Sequence, residues 1–350
     1  MQAFGGLENE VFSTKSTVIS GFKTWRSTQA SLLIKTTTSS SCFVLARNGK
    51  MTSFLSMQRR QFIATAAAAV SSLAAQTAPA AAPGKLKIIG FTKSFADLSL
   101  ADSAALVEEV GWDGVDVTIR RDSTHIKIER VADDLPQFLE LLKKRGKDSC
   151  MVTTDVLKIT DKEEKFLRTL ASCGIKKYRL GFKNYQKNED PMKVAREMAP
   201  VFRDIAALNK ELGLWAGYQN HSGPNFFGGP IWDSIMAMEP TDPNHLGLCF
   251  DIAHATVEGG QNWPIQYRLA RPRIGVAYIK DYRWREADGN WHRDSCEFGK
   301  GIVRKAYFDA LKQSNFSGEF CQHHEYPLGK GAERIAFYRR DLESLRKFLA

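Results

Sequence analysis

Glu211–His221 reads ELGLWAGYQNH. Its first residues end a long amphipathic run, Gly213 breaks that run, and an apolar stretch follows that stops in Gln219, Asn220 and His221. Glycine is the residue that most readily takes the left-handed turn closing a helix. The stretch therefore reads as helix, glycine, buried strand and polar strand end. Two amides and an imidazole at the end of a buried strand place chemistry at one edge of a sheet.

The same punctuation recurs along the chain. Strand candidates are KLKIIGF (85–91), GVDVTIR (114–120), SCMVTT (149–154), KKYRLGF (176–182), GLWAGYQNH (213–221), LGLCFDI (246–252), IGVAYIKDY (274–282) and GEFCQHHEY (318–326). Helix-like runs separate them, with apolar residues three and four apart and Gly or Pro closing several. Strands that read as nearly continuous apolar runs suit a parallel sheet buried on both faces. Eight strand–helix units from residue 85 to residue 350 fit a single-domain α/β (β/α)8 TIM barrel, typically about 250 residues. An open doubly wound sheet is the alternative, but no GxGxxG opens a helix after the first strand. RWREADGNWHRDSCEFGKGI (283–302) reads as an irregular insertion between strands seven and eight, placed over the barrel's active face.

The chain before residue 85 has another character. MQRRQFIATAAAAVSSLAAQTAPAAA (57–82) has an arginine pair, then an Ala-rich run and Ala-x-Ala sites. That is the layout of a twin-arginine export signal, so residues 57–84 are expected to be signal peptide and linker, and the mature protein to be periplasmic. An Ala-rich helix is the plainer reading. The apolar run is shorter than the roughly 20 residues of a stable membrane span. Residues 1–56 read as a disordered extension or an over-called start, or else a transit peptide. Residues 1–82 hold eight of the 49 Lys and Arg and two of the 39 Asp and Glu. The remainder is only four charges positive, which argues against nucleic acid as a partner. Six cysteines, Cys42, Cys150, Cys173, Cys249, Cys296 and Cys321, show no CxxC or metal-type spacing. Cys249 and Cys321 read as core residues.

On a barrel the active site forms at the C-terminal ends of the strands. Those ends offer Arg120 with His125, Thr153 to Asp155, Arg179, Gln219 with His221, Asp251 with His254, Lys280 with Asp281, and His323 to Glu325. Side chains two apart share a face, so Gln219, His221, Asp251, Lys280, His323 and Glu325 are expected to converge. Carboxylate, imidazole and amide oxygen suit Mn²⁺, Mg²⁺ or Zn²⁺; Asp251, Glu325, His323 and Gln219 form the expected metal set. Glu325, Lys280 and His221 are the expected proton carriers. Lys280 would polarise a substrate oxygen and, beside a metal ion, titrate near neutral pH. Arg120, His125, Arg179, His254 and Trp284 are expected to bind substrate. Plainer roles exist: Asp251 as a cap of the following turn, Lys280 as counter-ion to Asp251 or Glu325, Lys280–Asp281 as a surface pair, and the arginines as partners of the rim acids. His324 should point away.

WDGVDVTIR, YQNHSG, LCFDIAHATVEGG, YIKDYRW, FGKGIV and HHEYP, in this order, resemble the xylose-isomerase-like barrel superfamily, which includes sugar phosphate isomerases/epimerases and endonuclease-IV-type enzymes. More narrowly they resemble its exported, signal-bearing bacterial branch. The resemblance spans residues 112–327. It implies a divalent metal held by Glu, Asp, His and Glu on the later strands, and proton transfer on a carbohydrate between two carboxylates. Asp251 and Glu325 match the Asp and the final Glu. Gln219 stands in place of the first Glu, and Tyr278 in place of the His. A carbohydrate isomerase or epimerase is therefore the expected function. Hydrolysis or elimination on an oxidised (keto) sugar or glycoside is the alternative, because the opposing carboxylate is missing. A sugar-binding barrel without catalysis, stacking sugars on Trp215, Trp232, Trp263, Trp284 and Trp291, is a third.

Overall fold

Eight short strands run parallel and close on themselves. They are β1 (Ile88–Phe91), β2 (Gly114–Thr118), β3 (Asp148–Thr153), β4 (Lys177–Arg179), β5 (Trp215–Gln219), β6 (Leu246–Asp251), β7 (Ile274–Ile279) and β10 (Glu319–Gln322). β10 pairs with both β7 and β1, which completes the ring. All eight expected strands are present, and the fold is a (β/α)8 barrel. The computed structural model describes residues 86–122 and 124–350. The expected extension (1–56) and export signal (57–84) lie outside the described residues.

The helices follow from local sequence. α1 (Leu100–Val110) begins where the Ser99 hydroxyl accepts the Asp102 N–H. α2 (Val131–Lys143) and α3 (Asp161–Ser172) carry acidic residues in their first turns, which favours the positive end of the helix dipole. α4 (Pro191–Leu212) starts on an Asp190 cap followed by proline and stops at Gly213, φ 64°. β5 begins two residues later, as ELGLW implied. α5 (Trp232–Met238), α6 (Ile252–Gly259), α7 (Trp263–Ala270), α8 (Lys305–Gln313) and α9 (Gly331–Leu349) complete the outer layer. α6 was not expected. It starts directly from β6, with the Asp251 carboxylate capping the His254 N–H at 3.1 Å.

The stretch 283–302 is not irregular. β8 (Asp281–Ala287) and β9 (Asn290–Cys296) form an antiparallel hairpin with Ala287 opposite Asn290. Its two-residue turn is Asp288–Gly289, both at positive φ (53° and 69°), the backbone a tight type I′ hairpin demands. Asp281 anchors the return. Its carboxylate accepts N–H groups from Tyr282, Gly299, Gly301 and Val303 at 2.9–3.1 Å, so Lys280–Asp281 is no surface pair.

Ile89, Phe91, Met151, Cys249, Val276, Tyr278 and Cys321 fill the barrel interior. Trp215 lies at its N-terminal end. A Cβ at Gly217, Gly247 or Gly275 would come within 2.3–2.9 Å of the Trp215 ring, so three strands carry glycine to admit one indole. Trp215 and the core-packed Trp263 are therefore not sugar-stacking surfaces; Trp232, Trp284 and Trp291 are exposed.

Candidate functional site

A line of hydrogen bonds and ion pairs crosses the C-terminal mouth of the barrel. The Arg179 guanidinium, at the end of β4, donates to Gln219 Oε1 at 2.6 Å. Gln219 Nε2 donates to Asp251 Oδ2 at 2.9 Å. The same oxygen lies 3.2 Å from Lys280 Nζ, and Lys280 Nζ donates to both Glu325 oxygens at 3.2 Å. The Tyr282 hydroxyl closes the line on Glu325 at 3.1 Å. Alternation along β5, β6, β7 and β10 thus brings Gln219, Asp251, Lys280 and Glu325 together as expected.

The charges in this line are set by their neighbours. Burial works against the Lys280 ammonium, but Asp251 and Glu325 outweigh it and raise its pKa. Lys280 is a fixed cation, with a side chain only 3 % exposed. This reverses the expectation that it titrates near neutral pH, and makes it the counter-ion of both acids. Burial pushes Asp251 up, and Lys280 and the His254 N–H pull it back. Glu325 reaches solvent, its side chain 30 % exposed. Burial would raise it, but Lys280, then His254 and Lys93, bring it down to about 2.

Two histidines stand beside the line. His221 Nδ1 lies 3.2 Å from the Gln219 carbonyl oxygen; it donates there, which leaves Nε2 as the basic nitrogen. The ring stacks on Phe226 and meets Phe182 edge-on. Burial, then His254 and Arg179, hold its pKa well below the usual value, so it is neutral. His254 Nδ1 accepts from the Ser222 N–H and hydroxyl at 3.2 and 2.7 Å. Its Nε2–H then faces Asp251 Oδ2, 3.6 Å away. Arg293, from the hairpin, donates to the Ser222 hydroxyl and stacks on Tyr282 at 4.5 Å.

The opposite side of the mouth is cationic. Lys93 follows β1 and Arg120 follows β2. Burial lowers the Lys93 pKa; Glu325 opposes, and Arg120, Lys280 and Arg179 lower it further. Burial and Arg179 lower Arg120. Arg179 Nε and Nη2 and Arg120 Nε are buried with no hydrogen-bond partner in the protein. No rim acid accepts from these nitrogens.

Other expected site residues lie elsewhere. His323 leaves the metal set: its ring lies 4.1 Å from Phe91 and 4.2 Å from Tyr278. It joins Asp116 and Cys321, with ligand atoms all within 4.8 Å of one another. Among the described residues this is the one such group of His, Cys, Asp and Glu that can hold a metal ion, and it lies inside the barrel. Asp116 Oδ2 already accepts from Tyr278 and Thr153 at 2.8 and 2.9 Å. His125 packs on Phe95 and Phe138 and meets Ser103 at 3.1 Å, a helix-packing position rather than a substrate contact. His324 points outward, as expected, against Trp112 and Tyr338. Trp284 is 46 % exposed on the hairpin, across from Arg293.

Sequence reasoning missed Asp116, Lys93, Tyr282, Ser222 and Arg293. Asp116 had a signal, an acid in the middle of the apolar strand GVDVT. Arg293 had none, because its place depends on a hairpin that was not recognised.

A family model of the xylose isomerase-like TIM barrel matches residues 104–348. The chain belongs to this family. Solved structures of similar fold include 3-keto-D-glucoside 4-epimerase, YcjR, from E. coli (15 % identity, TM-score 0.57, covering 75 % of this chain and all of that one). D-psicose 3-epimerase, in the presence of D-fructose, matches at 12 % identity and TM-score 0.57, covering 75 % of this chain and 99 % of the other. A xylose isomerase-like TIM barrel protein from Mycobacterium smegmatis, in complex with magnesium, matches at 16 % and 0.54, covering 77 % and 100 %. No curated protein matches the chain. Among the described residues no helix is long and apolar enough to cross a membrane.

The divalent ion that the family resemblance implies does not fit this rim. Both amide atoms of Gln219 are engaged, the Tyr278 hydroxyl is turned down to Asp116, and Asp251 and Glu325 both hold an ammonium.

Proposed function

We propose that the chain is an enzyme that moves a proton on a carbohydrate, as an isomerase or epimerase, with His221 and Glu325 as the two proton carriers. The observation that carries this reading is the state of these two groups at one mouth. His221 is a neutral imidazole with its basic Nε2 left over, and Glu325 is an ionised carboxylate open to solvent. They follow β5 and β10, on either side of the Asp251–Lys280 pair. His221 thus supplies the second proton carrier that Gln219 cannot be. His221 Nε2 takes the proton from the carbon beside a carbonyl and, as the imidazolium so formed, returns it to the resulting enediolate, while the Glu325 carboxylate carries the hydroxyl proton from one enediol oxygen to the other. The free N–H groups of Arg179 and Arg120 suit the oxygen on which negative charge develops. The cations Lys93, Arg120 and Arg179 favour a sugar that bears a carboxylate or phosphate. No step runs through a metal ion at the rim. An ion held by Asp116, Cys321 and His323 would be structural, since Asp116 and Cys321 are fully buried.

The inequality of the two carriers also suits elimination from an oxidised (keto) sugar. There His221 removes the proton from carbon, and the imidazolium so formed delivers it to the departing hydroxyl, which leaves as water. A panel of keto-sugars, sugar acids and phosphosugars incubated with the protein in D₂O tests both readings by NMR. Deuterium at the carbon beside the carbonyl is expected, with loss of a hydroxyl marking elimination. Glu325→Gln and His221→Asn should each slow exchange by about 10²–10⁴-fold while each variant keeps a cooperative melt. Sugar binding with no exchange for any compound would leave a binding protein instead.

A further inference from the structure

We infer that Lys280 is a built-in replacement for a divalent ion, its ammonium occupying the seat between Asp251 and Glu325 at the barrel mouth. The ammonium lies 3.2 Å from Asp251 Oδ2 and 3.2 Å from each oxygen of Glu325. These are ammonium–oxygen distances. A bound Mg²⁺ or Ca²⁺ would stand at about 2.0–2.6 Å from the same oxygens and would need the same space. Tyr282 completes the enclosure, with the ammonium 5.5 Å from its ring centre, so the cation is sealed in.

The neighbouring residues are consistent with a permanent single charge. Gln219 is neutral and spends its oxygen on Arg179 and its nitrogen on Asp251. Tyr278, directly below Lys280 on β7, is buried and donates to Asp116 rather than facing the two acids. Asp251, Glu325 and Lys280 together carry one negative charge. A third carboxylate at position 219 with a divalent ion in the seat would also carry one. The exchange of acid for amide and the exchange of ion for ammonium therefore offset each other in charge. Either change alone would leave the mouth one charge out of balance.

The replacement can be reversed by mutation. Mn²⁺, a hard cation suited to carboxylate, amide and water ligands, is titrated into the EDTA-treated full chain and followed by EPR of the free ion. Wild type should hold no Mn²⁺ whose binding depends on Asp251. Lys280→Ala empties the seat and should gain one Mn²⁺ site, at least about 100-fold tighter than anything at that position in wild type. Adding Asp251→Asn should remove the gained site. Ion binding at Asp116, Cys321 and His323 would survive Asp251→Asn and vanish in Cys321→Ser, so it is separable. Where Lys280→Ala is unstable, the melting temperature gives the same answer. Mn²⁺ should raise it by several degrees more in Lys280→Ala than in wild type or Lys280→Arg. Two results overturn the proposal: an Asp251-dependent Mn²⁺ in wild type, or no gain of Mn²⁺ binding or of melting temperature in Lys280→Ala. The readout is ion binding, independent of the reaction catalysed.

Discussion

Lys280 neutralises two carboxylates of unequal exposure. Asp251 is fully buried, and Glu325 reaches water. Removing the ammonium leaves Asp251 with the Gln219 amide and the His254 N–H but no cation. Breaking a buried ion pair by deleting one partner costs about 3–5 kcal/mol, so Lys280→Met should lose stability of that order. The check is a urea midpoint that falls at unchanged slope; a loss below about 1 kcal/mol would contradict the buried pairing. Period-two alternation made Gln219, Asp251, Lys280 and Glu325 legible in the sequence as one cluster. It did not reveal which way the lysine's charge was directed. A rim lysine aimed at substrate and one locked between acids have the same sequence, and only distances separate them. His323 was misassigned for a related reason. Alternation put it on the inner face, correctly, but it lies one layer deeper than Glu325, beside Cys321 and Asp116.

The β8–β9 hairpin shows where pattern reading stopped. Its residues from Arg283 to His292 are mostly exposed, so no face is buried and no alternation of apolar and polar residues is written into it. The signal that was present was the Asp288–Gly289 pair, which is favoured in two-residue hairpin turns. α6 escaped for a different reason: it is eight residues long and leaves β6 with no linker. Arg293 ties the second strand of the hairpin to the barrel mouth through Ser222 and packs on the Tyr282 ring of the first strand. A charge-assisted hydrogen bond and a cation–π contact are together worth about 2–4 kcal/mol. Arg293→Ala should therefore speed amide exchange across β8 and β9 by more than tenfold, measured by mass spectrometry, while α1 to α4 keep their protection. Unchanged exchange in the hairpin would mean that Arg293 does not hold it.

The closed ring was legible because each strand–helix unit carries its own punctuation and eight of them fill the length of a barrel. How the ring is sealed was not, since it depends on contacts between chain ends. α9 docks beside α1 through Arg339 on the Glu109 carbonyl and Tyr338 on Ser94, and His324 is buried beneath it. Burial drives the His324 pKa down to about 3, although Asp341 lies 3.5 Å away, and burial raises Asp341 to about 7. Desolvation thus prevails over pairing on both sides. An unfolded histidine takes up a proton below about pH 6.5, while native His324 does not until about pH 3. Stability from this group is therefore full above pH 6.5 and declines as pH falls, by about 1.4 kcal/mol per pH unit. Asp341, protonated in the native state below about pH 7, contributes a slope of opposite sign, so the test is a difference: between pH 6 and 4 the slope of stability against pH in His324→Leu should be lower than in wild type by about that amount in urea titrations at each pH, and parallel profiles would refute the buried neutral state. At the other end of the barrel, Trp215 packs against the interior cluster among three glycines, far from the mouth that holds the site. On the proposed reading, substrate and product meet the site at the same mouth, so in steady state product should compete directly with substrate for the empty protein.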